Sequence, residues 1–168
     1  MLDLDRYLPA VLVWASNQIA NSASRMYREE FGIGITDWRV LVFIEIYPWS
    51  TGAEASTFIG LDKGAVSRSL SHLTERGLLK SKSDGLRKIK YSTTAAGKRL
   101  YKRMLKVALA REEALLTGFS GEERELLLQL LHRLLANLPA IGAVNVHGSS
   151  SASVKTEPSR GGRNAVKG

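Results

Sequence analysis

Apolar residues recur at three- and four-residue spacings along most of this chain, and that pattern predicts a largely helical protein. A first long helix is expected at about residues 4–31, before a glycine-rich break. A second helix is expected at residues 37–46, with Thr36 as its N-cap. After a break at residues 50–52, a short third helix is expected at about residues 53–58.

The best-defined helix is expected between Asp62 and Gly77. Asp62 is placed to accept backbone N–H groups as an N-cap, and Gly77 can adopt the left-handed conformation that ends helices. At about 100° per residue, Val66, Leu70 and Leu73 share one side. A plain amphipathic surface helix would show the same pattern, but here the opposite side is short, polar and cationic. That side carries Gly64, Ser67, Arg68, Ser71 and His72.

A basic two-stranded ribbon is expected directly after this helix, over residues 80–93. Two β-capable runs are joined there at Asp84 and Gly85, which is a strong hairpin signal. The short helix that precedes the sequence Gly60-Leu-Asp62 supplies the first half of a helix-turn-helix unit. A helix-turn-helix followed by a basic ribbon is the layout of a winged helix-turn-helix, in which the helix enters the major groove and the wing lies on the backbone.

Two further helices are expected after the ribbon. The first begins near Thr94, is basic, and runs to about Thr117. The second follows a capping box formed by Ser120 and Glu123. A helix as apolar as this last one must be covered, and a partner subunit is the expected cover. Its apolar positions are Leu126, Leu127, Leu128, Leu130, Leu131, Leu134, Leu135 and Leu138.

Positive charge is concentrated in one part of the chain. The formal net charge is +8, but residues 63–111 contain fourteen Lys or Arg against two acids, a local balance of +12, whereas the remainder carries −4. Segregated charge of this kind favours a polyanionic partner, and double-stranded DNA fits it best. A basic surface that is merely solvated is the alternative.

Several kinds of chemistry have no support in the sequence. The chain has no cysteine, which excludes disulfides and thiolate chemistry. It has no phosphate-binding glycine loop and no His-Glu-x-x-His, and its three histidines lie in different expected elements. We therefore expect no enzyme activity, no cofactor and no metal site. No apolar run approaches the roughly 20 residues of a membrane span and no secretory signal is visible, so a cytoplasmic protein without a membrane partner is expected.

Three motifs, in this order and spacing, resemble the MarR family of winged helix-turn-helix transcriptional regulators. The resemblance covers nearly the whole chain to about Leu138. The motifs are Thr36-Asp-Trp-Arg-Val-Leu41 at the second helix, Lys63-Gly-Ala-Val-Ser-Arg68 with Leu73-x-x-Arg-Gly-Leu78 at the recognition helix, and Thr94-Ala-Ala-Gly97 at the close of the wing.

One position in the wing departs from the family pattern. The family usually has Asp-x-Arg there, whereas here Arg87 holds the arginine place, Gly85 stands in the aspartate place and Asp84 comes one residue early. Either the wing arginine is oriented differently, or a one-residue shift restores the pair.

The resemblance implies a mainly α fold with a small β-wing, that is, a winged helix-turn-helix lobe with a helical dimerisation region. Residues 1–35 and 95–140 would form the dimerisation region and residues 36–94 the DNA-binding lobe. Residues 147–168 are low in apolar content and rich in Ser, Gly and Arg, so we expect a disordered tail there.

The resemblance also implies a function: a sequence-specific DNA-binding transcriptional regulator that acts as a homodimer on a pseudo-palindromic operator. Such regulators are often repressors that a small aromatic or anionic effector releases. The implied DNA-binding residues are Lys63, Gly64, Ser67, Arg68, Ser71, His72, Lys82, Arg87, Lys88 and Lys90. The candidates to line an effector cleft are Trp14, Asn17, Tyr27, Trp38 and Arg39.

Alternatives remain open for both sites. Trp38 is better explained as a core residue where the second helix meets the first. A non-specific architectural DNA-binding protein would need the same basic surface and less base readout. A dimerising interaction protein with a vestigial DNA-binding lobe is a third hypothesis, against which the basic, acid-poor wing argues.

Overall fold

A computed structural model describes residues 1–85 and 88–144 of the chain. The chain divides into two compact units, Met1–Leu115 and Leu116–Gly168, and each is described by itself. Within the described ranges, no helix has the length and apolar character required to traverse a bilayer. The wing arginine Arg87 and the expected tail at residues 147–168 lie outside the described residues.

The first unit combines helices with one small antiparallel sheet in the strand order β1-β3-β2. Its elements are α1 (Leu8–Phe31), α2 (Ile35–Ile46), β1 (Ser50–Thr51), α3 (Gly52–Ile59), α4 (Lys63–Glu75), β2 (Leu79–Ser83), β3 (Ile89–Thr93) and α5 (Ala95–Leu115). The second unit contains α6 (Gly121–Gly142). The expected fold class, mainly α with a small β-wing, is confirmed.

Two helix starts differ from the sequence expectation. Helix α1 begins at Leu8 rather than near residue 4, because Pro9 occupies its first turn, where the missing N–H costs nothing. Helix α2 begins at Ile35, so Thr36 is not its N-cap. The backbone N–H of Gly34 donates to Oδ2 of Asp37 at 3.2 Å, so the Asp37 carboxylate provides the capping hydrogen bond at the start of α2 instead.

The expected break at residues 50–52 contains a strand. Ser50 and Thr51 pair with β3 as β1, a strand too short to show a period of two. Thr51 also caps α3: its Oγ1 accepts from the N–H of Glu54 at 3.2 Å, and the Thr51 N–H donates to the Glu54 carboxylate at 2.7 Å. Thr51 is therefore both the last residue of β1 and the N-cap of α3, the first helix of the helix-turn-helix.

The core of the first unit lies between α2, α4 and α5. Trp38 is 8% exposed and packs edge-on against Tyr27 at 6.1 Å between ring centroids and in a stack with Tyr101 at 5.8 Å. The interpretation of Trp38 as a core residue is therefore supported. Other fully buried residues are Val40, Leu41, Ile44, Val66, Leu73 and Met104.

In the second unit, the predicted capping box at the start of α6 is confirmed. Ser120 Oγ accepts from the N–H of Glu123 at 3.2 Å, and the Ser120 N–H donates to the Glu123 carboxylate at 2.7 Å. The helix buries none of its own residues within the chain. Its exposed apolar side chains are Leu126, Leu127, Leu128, Leu130, Leu135, Leu138 and Ile141.

Thr94 and Gly97 join the end of the wing to the residues that directly follow α4. Thr94 donates its backbone N–H to the Leu78 carbonyl at 3.0 Å and its hydroxyl to the Gly77 carbonyl at 2.7 Å. Its hydroxyl oxygen also accepts from the N–H of Gly97 at 3.1 Å and so caps α5. A Cβ atom on Gly97 would lie 2.1 Å from the Leu78 carbonyl oxygen, so this position requires glycine.

Gly97→Ala should therefore destabilise the protein by about 3 kcal/mol, at the upper end of overpacking costs, since the obstacle is backbone that cannot rotate away. Urea unfolding followed by circular dichroism measures this. Gly121→Ala is the matched control, because a Cβ there meets nothing within 4 Å, and it should change the free energy of unfolding by less than about 1 kcal/mol. Equal stability of the two variants would contradict the contact.

Candidate nucleic-acid interface

Helix α4 presents one buried side and one polar side, as its sequence predicts. The N–H of Ala65 donates to Oδ1 of Asp62 at 3.0 Å, which confirms the predicted N-cap, and Gly77 follows the helix with φ +68°. Val66, Leu70 and Leu73 are buried against the core. The outward side exposes Ser67, Arg68 and Ser71, with Gly64 and His72 half-exposed.

The turn before α4 is held by a polar contact inside the helix-turn-helix. The largely buried Ser56 donates its hydroxyl to the Leu61 carbonyl at 2.7 Å. Gly60 ends α3 with φ +71°, a conformation that favours glycine. The Ser56 hydrogen bond and the left-handed conformation of Gly60 together fix the orientation of α4 relative to α3.

Asp37 ties the start of α2 to the middle of α4. Its Oδ1 accepts from the hydroxyl of Ser69, and its Oδ2 lies 3.0 Å from Nδ1 of His72. Because a carboxylate only accepts, Nδ1 is the donor in this pair. The Asp37 side chain is 14% exposed, whereas the His72 side chain is 45% exposed. His72, a predicted DNA contact, therefore also positions the helix on which it lies.

The far end of α4 is anchored separately. Arg76 donates from Nη1 to the carbonyl of Gly32, in the loop between α1 and α2. Thus α4 is fixed to the preceding part of the chain at two places, the Asp37 side chain and the Gly32 carbonyl. These contacts set the orientation of its outward face relative to α2.

The predicted wing hairpin is present, but its connection is longer than the two residues Asp84 and Gly85, because the last strand pair is Ser83 with Ile89; Gly85 lies in this connection at φ +77°. The unusual place of Asp84 has a structural consequence, because its Oδ2 lies 2.7 Å from Nζ of Lys90 across the hairpin. The hydrogen bond from Lys90 lowers the pKa of the Asp84 carboxyl, and the same bond raises the pKa of Lys90. The Lys90 ammonium, a predicted DNA contact, is thus already engaged.

A groove between α4 and the wing brings several predicted residues together. Lys63 and Ser67 line it from α4, and Lys88 and Lys90 line it from the wing. The exposed Glu54 also lines this groove, and the Thr51 backbone N–H holds the pKa of its carboxyl below the usual range, helped by the Thr51 hydroxyl and by the charges of Lys90 and Lys88. Cations from both DNA-binding elements therefore surround one groove.

Three of the five effector candidates share a second groove. Tyr27, Trp38 and Arg39 line it together with Arg111, whose Nη2 donates to the Ser22 hydroxyl at 2.5 Å. Burial raises the pKa of the Tyr27 hydroxyl, an effect that the charge of Arg111 opposes. The groove thus combines an aromatic wall with two guanidinium groups. Trp14 and Asn17 are exposed on α1 and are not among its lining residues.

Sequence reasoning missed three contacts of the interface. The bond from Arg76 to the Gly32 carbonyl joins positions 44 apart, and no local pattern signals it. The hydrogen bonds of Asp37 with Ser69 and His72 were likewise not predicted by any sequence pattern, although Asp37 and His72 both lie in or beside the motifs noted above. No group of three or more metal-ligating side chains occurs in the described part of the chain.

A helix-turn-helix whose second helix exposes a polar, cationic face, followed at once by a basic hairpin, defines this chain as a winged helix-turn-helix protein. The family model described as MarR family matches residues 31–87. Together with the structural likenesses below, this match makes the chain similar to the MarR family of winged-helix transcriptional regulators. Regulators of this family are in general DNA-binding proteins rather than enzymes.

Solved structures match most of the chain. A MarR/EmrR family transcriptional regulator from Acinetobacter sp. ADP1 is 29% identical with a TM-score of 0.77, and the match covers 83% of this chain and 99% of that one. A structure of MarR is 25% identical with a TM-score of 0.68, covering 85% and 98%. The S. aureus MepR–DNA complex is 18% identical with a TM-score of 0.68, covering 81% and 99%, and shows a shared fold. Comparison with curated protein sequences found no match.

Removing the Asp37 carboxylate should loosen α4. Asp37→Ala leaves the Ser69 hydroxyl, His72 Nδ1 and the Gly34 N–H without their acceptor, so we expect a loss of about 2 kcal/mol in the free energy of unfolding. Asp37→Asn keeps one acceptor oxygen and should lose less. Urea unfolding measures both, with the exposed Asp5→Ala as control. An Asp37→Ala variant as stable as the control would show that these bonds do not hold the helix.

Proposed function

We propose that this protein is a sequence-specific DNA-binding transcriptional regulator that acts as a homodimer on a pseudo-palindromic operator. The observation that carries the proposal is the outward face of α4, which exposes Ser67, Arg68 and Ser71 while the opposite face is buried in the core. A face so fixed can read base edges. The likeness in fold to a protein solved as a DNA complex supports the same conclusion.

In this proposal the helix α4 enters the major groove and the wing follows the backbone. Arg68 is the candidate for a bidentate contact to a guanine, because its guanidinium is exposed at the middle of the face. Gly64 and Ser67 allow close approach, and Ser71 and His72 extend the polar face. Lys63, Lys82, Lys88 and Arg87 would bind phosphates.

A second copy of the chain is proposed as the cover for exposed apolar helices. Helix α6 buries none of its residues within the chain, and α1 exposes its own apolar residues near its start. Apolar surface of this extent on both helices is typical of an interface. Two recognition helices in a two-fold dimer would meet successive major grooves about one DNA turn apart. The exposed residues of α1 are Leu8, Val11, Leu12, Val13, Trp14 and Ile19.

Effector control is proposed for the groove that Tyr27, Trp38, Arg39 and Arg111 line. Its aromatic wall fits a flat ring and its two guanidinium groups fit a carboxylate. Because α1, α2 and α5 all contribute to this groove, a ligand there would change how the helices that flank the DNA-binding lobe pack. A repressor that an aromatic carboxylate releases from DNA is the regulator that this geometry favours.

The operator can be found and the reading helix tested in one experiment. Wild type and Arg68→Ala each select duplexes from a random pool at about 150 mM salt. The wild type should enrich a roughly palindromic site. Arg68→Ala should bind that site about 10- to 100-fold more weakly, which is the loss of affinity expected when one bidentate base contact is removed. Arg25→Ala, which removes an exposed arginine 3.7 Å from Glu29 on α1, is the control and should select the same site.

Each result of this selection has a definite meaning. Tight binding without enrichment, steeply reduced by salt, would replace the proposal with a non-specific architectural DNA-binding protein. Absence of binding by the wild type would refute DNA binding altogether.

Aromatic carboxylates should bind the second groove. Calorimetric titration with benzoate is expected to show binding that Arg39→Gln and Arg111→Gln each weaken about tenfold, since each removes a charge-assisted hydrogen bond. Arg99→Gln, on α5 outside this groove, should bind benzoate as the wild type does. Binding that is equal in all four proteins would contradict a carboxylate site here.

A further inference from the structure

Trp49 has a backbone conformation that a bulky residue rarely adopts. Its φ is +65°, and among the described residues it is the one non-glycine with positive φ. Its backbone N–H donates to the Tyr91 carbonyl at 2.7 Å, which fixes it at the edge of the sheet just before β1. An outlier of this kind persists when the surrounding contacts determine it, and such outliers are frequent at functional sites.

The Trp49 indole lies under two lysines of the wing. Nζ of Lys82 is 4.2 Å from its ring centroid and Nζ of Lys80 is 5.4 Å away. Both distances are within the roughly 6 Å over which an ammonium is attracted by an aromatic face, and Trp is the strongest such partner. Each contact restricts a long side chain that would otherwise sample many rotamers.

The pairing of the strands shows which face of the sheet these groups share. Lys80 and Lys82 are two residues apart on β2, so they lie on one face. Lys82 pairs directly with Lys90 of β3, which places Lys90 on the same face. Tyr91, the next residue of β3, lies on the other face and packs against the core. The face with the lysines is the one opposite Tyr91 and is called here the outer face of the wing sheet, although Ser92, which pairs with Lys80, is buried on it.

The charges on this outer face are not equivalent. Asp84 pairs with Lys90 at 2.7 Å, so the acid at the tip of the hairpin is engaged with that lysine. Lys80 and Lys82 are exposed and contact the neutral indole. An aromatic ring orders an ammonium without neutralising it, and the charge stays available to an anion on the open side.

We propose that Trp49, Lys80 and Lys82 form a DNA-backbone contact surface, separate from the recognition helix, in which Trp49 positions both lysines against phosphates that flank the bound site. The proposal rests on the DNA-binding function proposed above. Phosphodiester is favoured as the partner because the surface is continuous with the hairpin of the wing and its two ordered charges have the same sign. Trp49 is a positioning residue, and Lys80 and Lys82 are the contacts.

The test uses the full-length protein and a 40-base-pair duplex of random sequence, with affinity measured by fluorescence anisotropy over a range of salt concentrations. The double variant Lys80→Gln with Lys82→Gln should flatten the dependence of log K on log salt by about 2 to 4, since each lost phosphate contact removes about 0.9 from the slope and a dimer carries two wings. Lys102→Gln with Lys106→Gln removes the same charge from exposed positions on α5 and should change the slope by less than 1.

Substitutions at Trp49 separate positioning from folding. Trp49→Leu keeps an apolar side chain and the same backbone conformation but removes the aromatic face, so affinity should fall about fivefold. Trp49→Phe keeps a weaker aromatic face and should retain about half of the affinity. In the background that lacks both lysines, Trp49→Leu should have no further effect, because a residue that acts only through Lys80 and Lys82 has nothing left to position. A general structural role would weaken binding in both backgrounds.

The outcomes distinguish this surface from the proposed function itself. If the wild type binds duplex and Arg68→Ala loses its selected site while the Trp49 and lysine variants bind as the wild type does, the surface is refuted and the regulator stands. Equal losses in the two lysine double variants would also refute the surface, because net charge alone would then explain the effect. If the wild type binds no duplex, both proposals fail.

Discussion

The DNA-facing geometry depends on how α4 is seated against α2. Val66 and Leu73 supply the apolar contact, which has no direction of its own, and Asp37 supplies the directional one through Ser69 and His72. A helix held by apolar packing alone could rotate or slide by a fraction of a turn at small cost. A largely buried carboxylate with two side-chain donors on the helix removes that freedom. Base readout requires this, since hydrogen bonds to base edges tolerate little error in position.

The wing is positioned from the same helix and not independently of it. Thr94 bonds to the carbonyls of Gly77 and Leu78 just after α4, and Gly97 lets α5 approach the Leu78 carbonyl closely. The end of the recognition helix, the close of the wing and the start of α5 therefore meet at one joint. A shift of the start of α5 would therefore act on both of these elements at this joint. A ligand in the groove proposed for the effector, beside Trp38 and Arg111, would touch α5 directly, so this joint would connect that groove to the proposed DNA-binding surface.

Local patterns predicted the elements of this fold well and the contacts between them poorly. The cap at Asp62, the wing hairpin around Gly85 and the capping box at Ser120 follow from short-range chemistry, and all are found, with a longer hairpin connection than predicted. Strand β1 was missed because two residues carry no period, and Thr36 was given a capping role that Asp37 fulfils from within the helix. Trp49 escaped notice because its partners are on β2, about 30 residues away, and no spacing rule links them.

The basic surface is less uniform than its net charge suggests. Lys90 is paired with Asp84, Lys82 and Lys80 lie over Trp49, and Arg76 is bound to the Gly32 carbonyl, whereas Arg68 is exposed on the outward face of α4. Charges that are ordered in advance lose less entropy when they meet phosphates, and a charge already satisfied by an acid contributes less to binding. Sequence counts weigh all of these cations equally. If the proposed DNA binding holds, affinity would come mainly from the ordered lysines of the wing and discrimination from Arg68, which lies on the outward face of α4.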